Sequence, residues 1–178
     1  FGMVPRKWKI WSSGYFKKGK IKLQSGKVNQ EFDSDALTIG MDKIIRKNTL
    51  FGIAIRLQDE DTDVGQSGTQ IKSDAKSATI YSSWHKNSST FIDGLVGYGY
   101  IENDLTRIEQ ANTSNTLTGN SGVKQYFTSI KVNKIMDKDN FTSLLSGRYD
   151  YGLSKLERFS ETGDTQALKF EEQDLKKK

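Results

Sequence analysis

The sequence predicts an all-β fold: an antiparallel up-and-down meander of the transmembrane β-barrel type. Apolar and polar residues alternate along most of the 178 residues, as they do in strands whose two faces meet different surroundings. The chain has 16 glycines and 11% aromatic residues, yet its hydrophobic content is only 34%, low for a close-packed soluble core. A barrel in lipid needs apolar residues only on its outer face, so it fits this composition.

Residues 90–100 show the pattern most clearly, because their glycines disfavour a helix and their two faces differ. One face is apolar and carries tyrosines towards one end: Thr90, Ile92, Gly94, Val96, Tyr98 and Tyr100. The other mixes small, polar and charged residues: Phe91, Asp93, Leu95, Gly97 and Gly99. We interpret the first face as the lipid face and the second as the barrel interior.

The other strands are predicted, in order, over residues 7–22, 28–45, 50–58, 74–84, 123–133, 141–152 and, more weakly, 166–174. The breaks near Arg46, His85 and Asp137 are short, whereas the polar segments 59–73, 102–122 and 153–165 are long. Outer-membrane barrels alternate in this way, with short periplasmic turns and long external loops. About eight strands at this spacing are also compatible with a soluble sandwich.

Charges support the assignment of the faces, since they avoid the predicted lipid faces of the third, fifth and seventh strands. Five charged residues on the opposite faces are candidates for lining a pore: Asp42, Arg56, Asp93, Arg148 and Asp150. Five aromatic residues are candidates for the girdle at the membrane interface: Trp11, Tyr98, Tyr100, Tyr149 and Tyr151.

The sequence offers no catalytic set, no metal site and no cofactor motif. It has no cysteine, and its one histidine, His85, falls in a predicted turn. Residues 59–65 are similar to a calcium loop but place Val64 where an EF-hand needs glycine, so an acidic surface loop is the preferred interpretation. The charge of +5 is spread over loops and chain ends, which disfavours nucleic-acid binding.

The order of these signals resembles the β-domain of autotransporters, the translocator barrel of type V secretion. The matching segments are Trp11 with Gly14 and Gly19, residues 38–42, Gly52, residues 93–100 and residues 147–149. The resemblance implies an outer-membrane barrel that performs no bond chemistry and supports the export and surface display of an N-terminal passenger. It implies three partners: outer-membrane lipid, the passenger segment and the barrel assembly machinery.

Two departures from the family shape the expected domain organisation. The family has twelve strands and ends on an aromatic residue, whereas about eight strands are predicted here and the chain ends with three lysines. We therefore expect residues 1–6 to be a linker from a passenger or pore helix, and residues 7–178 to be a barrel domain truncated at its C-terminus. A small stand-alone outer-membrane barrel and a soluble all-β binding domain are the alternatives.

Overall fold

The computed structural model describes residues 7–21, 29–65, 68–108, 116–138, 140–163 and 167–177, and their secondary structure consists of strands. Seven strands are long: β1 (Lys9–Ile21), β2 (Gln30–Arg46), β3 (Thr49–Val64), β4 (Thr69–Asn87), β5 (Thr90–Ile108), β6 (Thr116–Lys138) and β7 (Phe141–Leu156). Three are short: β8 (Phe159–Thr162), β9 (Lys169–Phe170) and β10 (Gln173–Lys177). Among the described residues, no helix has the length and hydropathy to cross a membrane.

The strands form one antiparallel sheet, which confirms the predicted meander. Its order is β1-β2-β3-β4-β5-β6-β7-β10, so each of the first six strands pairs with the next one in the chain. The sheet is not closed within the described residues, because β1 pairs only with β2 and β10 pairs only with β7. The expected linker, residues 1–6, lies outside the described part of the chain.

The two ends of the sheet differ. One end, here called the turn end, has the tight connections at residues 47–48 and 88–89 and the turn residue Asn140. The opposite end, here called the loop end, carries the turn residues Gly65 and Gly68 and the strand ends at Ile21, Gln30, Ile108 and Thr116. The tight turns therefore lie at one end of the sheet, as the sequence predicts. The connection between β3 and β4 lies at the other end, but it is shorter than predicted.

The prediction of long polar loops was wrong for the segments at residues 59–73 and 102–122. β3 continues to Val64 and β4 begins at Thr69, and their residues stay paired to the connection, as Asp61 with Lys72 and Asp63 with Gln70. The acidic segment is thus strand rather than surface loop. Hydrophobic alternation stops there because both faces are polar, but backbone pairing does not depend on side-chain polarity.

The last part of the chain contains a β-bulge. The Glu157 amide donates a hydrogen bond to the Gly122 carbonyl at 2.8 Å, yet Ser160 pairs with Asn120, so the chain between Glu157 and Ser160 carries one more residue than the facing part of β6. β9 then pairs with β8, and β10 pairs with β7. The weak strand predicted at residues 166–174 is therefore two short strands, β9 and β10, which pair with different neighbours.

Aromatic side chains cover glycines on the facing strand at four places. Trp11 covers Gly40, Phe32 covers Gly19, Tyr81 covers Gly52 and Phe127 covers Gly97, and in each case the two residues are direct register partners. A Cβ at Gly19 would lie 2.6 Å from the Phe32 ring, so the ring needs a partner without a side chain. These pairs put their side chains on one face of the sheet, called the inner face, and the other is called the outer face.

We predict that Gly97→Val destabilises the protein by about 1–3 kcal/mol, because the added side chain overlaps the Phe127 ring and forces it to move. The matched control is Gly94→Val in the same strand, where an added Cβ meets nothing within 4 Å. Unfolding in denaturant, followed by the loss of heat-modifiable migration, gives the measurement. Equal destabilisation by both substitutions would contradict this packing.

Candidate functional site

The outer face carries a continuous charge-free zone, which we call the apolar belt. It consists of the outer-face residues within 10–16 of β1, 37–41 of β2, 51–57 of β3, 78–84 of β4, 90–100 of β5, 126–132 of β6 and 141–153 of β7. One row of successive register partners crosses it: Ser12, Ile39, Ile55, Ala78, Tyr98, Tyr126 and Leu153. β10 does not continue the belt, because Lys176 is the next residue of that row.

The large side chains of the belt are exposed rather than packed. Ile55 is 62% exposed, Val96 55% and Ile130 52%, whereas Leu117 is the one buried hydrophobic residue among those described. Leaving such side chains in water forgoes roughly 1.5–3 kcal/mol each. A soluble sandwich would bury this face, so the belt requires apolar surroundings.

The inner face is polar and hydrogen-bonded between distant strands. Trp11 Nε1 donates to the Tyr81 hydroxyl at 2.8 Å, and that hydroxyl donates to Asp42 Oδ2 at 3.1 Å. These three side chains join β1, β4 and β2 across the covered glycines Gly40 and Gly52. The prediction that Trp11 belongs to the aromatic girdle is therefore wrong, since its ring packs on the inner face to cover a glycine.

Arg56 lies further towards the loop end of the inner face. Its Nη2 donates to the Tyr15 hydroxyl at 2.8 Å and to Gln58 Oε1 at 2.9 Å, and its guanidinium lies 5.1 Å from the centre of the Tyr15 ring. Both contacts hold the cation across β1 and β3. A cavity of about 470 Å³ opens beside it, and its lining includes Ser73, Asn103 and Gln125.

The remaining candidates for pore lining sit on β5 and β7. Asp93 accepts hydrogen bonds from Ser83 Oγ at 2.6 Å and from Asn133 Nδ2 at 3.5 Å. Arg148 forms an ion pair with Asp150 at 2.8 Å. The structure thus places all five candidate charges on the inner face by register, and it brings Arg148 and Asp150 together while Asp42, Arg56 and Asp93 keep separate partners.

The structure also shows on which faces the four tyrosines predicted for the aromatic girdle and His85 lie. Tyr98, Tyr100, Tyr149 and Tyr151 lie on the outer face, with the Tyr98 and Tyr126 ring centres 5.2 Å apart. His85 is on the inner face at the turn end, where its ring meets the Phe91 ring edge-on at 4.8 Å. The described residues include no group of three potential metal ligands.

A buried ion pair at the loop end was missed by the sequence reasoning. Arg107 donates from Nε and Nη2 to the two Glu161 carboxylate oxygens at 2.8 and 2.7 Å, and the Leu168 amide donates to the same carboxylate at 3.0 Å. The Glu161 side chain has no exposed surface, and Leu117 is fully buried on the neighbouring strand. We call Arg107 and Glu161 the clasp, because they fasten β8 to the end of β5 across β6.

A curved antiparallel sheet with an apolar outer belt and a polar inner wall is the wall of a transmembrane β-barrel. The family model for the autotransporter beta-domain matches residues 10–177, and the chain belongs to this family. Members of the family are outer-membrane barrels that support the export of a passenger, so the chain is placed in the outer membrane. A soluble all-β domain is excluded by this assignment.

Two known structures are similar in fold, and one further protein is similar in sequence over about half of the chain. The translocator domain of the autotransporter NalP from Neisseria meningitidis is similar with a TM-score of 0.78 and 16% identity, over 94% of this chain and 57% of that one. BauA, the ferric preacinetobactin receptor of Acinetobacter baumannii, is similar with a TM-score of 0.57 and 9% identity, over 87% of this chain and 27% of that one. The putative uncharacterized protein YaiT of Escherichia coli K12 is 28% identical over 89 residues, which is 49% of this chain and 9% of YaiT.

We predict that Tyr81→Phe destabilises the protein by about 1–3 kcal/mol, because it removes the acceptor of Trp11 Nε1 and the donor to Asp42. Tyr98→Phe is the matched control, since its hydroxyl makes no hydrogen bond to any described residue and the ring faces outward. The midpoints of denaturant unfolding should differ between the two variants. Identical midpoints would show that the inner network contributes nothing.

We predict a pH-dependent release of the clasp, which lies beyond the belt. The hydrogen bonds from Arg107 hold the pKa of Glu161 below its usual range. A lowered folded-state pKa gives stability that is present at neutral pH and is lost as the pH falls through that pKa, in the acidic range below the pKa of an unpaired glutamate. Amide hydrogen exchange in β8 should therefore accelerate on acidification. Glu161→Gln should abolish this dependence, while Glu171→Gln, whose ion pair with Arg158 is exposed, should leave it unchanged.

Proposed function

We propose that this chain supplies a wall of a translocator barrel that anchors an N-terminal passenger in the outer membrane and provides its route to the surface. The observation that carries the proposal is the apolar belt, a charge-free outer zone across seven consecutive strands whose inner face is polar. The autotransporter beta-domain match over residues 10–177 supports it. The chain spans only 9% of the length of YaiT, so the role of the whole protein to which it belongs is proposed here and is not taken from that match. The role needs no catalytic group.

The proposed orientation places the turn end in the periplasm and the loop end at the cell surface. Outer-membrane barrels have short periplasmic turns, and their strands and loops extend further on the outside. Here β3 and β4 extend further past the belt at the loop end, to Val64 and from Thr69, than at the turn end, where they reach Thr49 and Asn87. β1 then runs outward from its start at Lys9, so a segment that precedes it enters from the periplasmic side.

The inner face is proposed to line the route. The pore lining consists of five charged residues whose charges are stabilised by water and neighbouring polar groups: Asp42, Arg56, Asp93, Arg148 and Asp150. The aromatic girdle lies on the outer side, next to lipid, and consists of Tyr98, Tyr100, Tyr149 and Tyr151. Residues 1–6 are the linker to the passenger, and residues 7–178 are the barrel domain.

Both edges of the sheet need partners in this setting. Unpaired backbone N–H and C=O groups cost several kcal/mol each in hydrocarbon, so open edges are not tolerated there. β1 and β10 are the edges within the described residues. We assign their pairing to further strands that close the barrel, and delivery to the membrane to the barrel assembly machinery.

The test compares two adjacent residues that face opposite sides of β4. Ile80→Lys puts a charge into the belt, and near the bilayer midplane this costs about 2–4 kcal/mol. Thr79→Lys puts the same charge on the inner wall, opposite Gly97, where it reaches water. The readouts are the heat-modifiable band in the outer-membrane fraction and surface detection of an epitope placed before residue 1.

Ile80→Lys should reduce the folded membrane band and surface detection together, whereas Thr79→Lys should preserve both. If Ile80→Lys assembles as well as the unchanged protein, the belt does not face lipid and the proposal fails. If the unchanged protein assembles but the epitope stays inaccessible on intact cells, the barrel is an anchor without the export role.

A further inference from the structure

The outer face of the turn end carries positive charge without negative charge. Lys43 on β2 and Lys134 on β6 lie on the outer face by register, next to the belt, and Lys86 is the extra residue of the β-bulge at the same end of β4; we call these three lysines the cationic rim. No carboxylate lies on the outer face between the belt and this end in the strands that the structure describes. None of the ion pairs recorded between described residues involves these three lysines.

Aromatic side chains accompany the cationic rim. The Lys43 ammonium lies 5.7 Å from the centre of the Trp8 ring, and Trp84, on the outer face of β4, precedes Lys86 by two residues. Trp8 is 49% exposed and Trp84 is 41% exposed. Tryptophan with a lysine beyond it is the arrangement of a membrane interface, where the ring sits at headgroup level and the ammonium reaches outward.

The loop end differs in sign. Asp35, Asp59, Asp74 and Glu102 are successive register partners on the outer face, directly beyond the belt. Lysines occur on that side too, but they alternate with carboxylates, as in the ion pairs of Lys18 with Asp33 and Lys124 with Glu157. On the outer face, carboxylates therefore lie among the lysines of the loop end, whereas none lies among those of the turn end.

We infer that the cationic rim binds the headgroups of anionic phospholipid in the periplasmic leaflet of the outer membrane. This inference rests on the proposed function, because that sets the turn end in the periplasmic leaflet. Lysine ammonium groups attract phosphate, and the absence of a neighbouring carboxylate leaves them available for an anionic lipid. The partner is thus a lipid with net negative charge, such as phosphatidylglycerol, rather than a zwitterionic one.

Trp84 provides an internal reporter, because it faces outward within two residues of Lys86. The protein is reconstituted into bilayers that contain brominated phosphatidylglycerol or brominated phosphatidylcholine, since bromine quenches a tryptophan that it touches. The signal of Trp84 is taken as the difference between the protein and its Trp84→Phe variant. The mole fraction of each brominated lipid is then varied to obtain their relative binding at this position.

Phosphatidylglycerol should bind beside Trp84 about fivefold more tightly than phosphatidylcholine, the effect of about one lysine near an anionic headgroup. The triple variant Lys43→Gln, Lys86→Gln, Lys134→Gln should lose this preference. The control variant Lys72→Gln, Lys76→Gln, Lys155→Gln removes the same charge from the loop half of the outer face and should keep it. Salt of about 1 M should weaken the preference of the unchanged protein, since the screening length falls to about 3 Å.

Equal quenching by the two lipids in the unchanged protein, or an undiminished preference in the rim variant, would overturn the inference while leaving the barrel intact. The salt series tests the same point without any substitution, so it remains decisive if the rim variant fails to assemble. Quenching of Trp84 by neither lipid would show that the belt does not meet lipid, and that result would overturn the proposed function itself.

Discussion

Continuous backbone hydrogen bonding between neighbouring strands is the constraint on which the rest of this structure depends. Each strand from β2 to β7 is paired on both sides, and β3 stays paired along its full length from Thr49 to Val64. In hydrocarbon no water can replace these bonds. The backbone is therefore satisfied within the sheet, and the side chains are left to suit the surroundings: lipid at the belt, water on the inner wall and beyond the membrane.

The faces of the strands could be predicted from the sequence because side chains alternate with a period of two. That rule correctly places Phe51 and Ile53 on one face of β3 and Arg56 on the other. It likewise places Val96 and Asp93 on different faces of β5. It fails where both faces are polar. The segment at residues 59–63 has no apolar alternation, so it was predicted to be a loop, although its backbone pairs with β2 and β4 in the same way as the belt.

The contacts between strands could not be predicted in the same way, because they depend on register. The outer-face assignment of Trp11 was wrong since only the pairing of β1 with β2 shows that its ring lies over Gly40. The clasp joins Arg107 to Glu161, which are 54 residues apart, and a β-bulge sets the position of Glu161. No buried side-chain nitrogen or oxygen of the described residues lacks a partner, so the polar groups are matched by an arrangement that composition does not reveal.

The boundary of the belt runs obliquely across the row from Ser12 to Leu153. Lys43 follows Ile39 by four residues, whereas Lys134 follows Tyr126 by eight, although Ile39 and Tyr126 belong to that same row. Points at equal depth in the bilayer therefore shift along the strands from β2 to β6, as they must when strands are inclined to the membrane normal. The spacing of lysines along the chain thus records the stagger of the wall, and with strand number the stagger fixes the radius of a closed barrel.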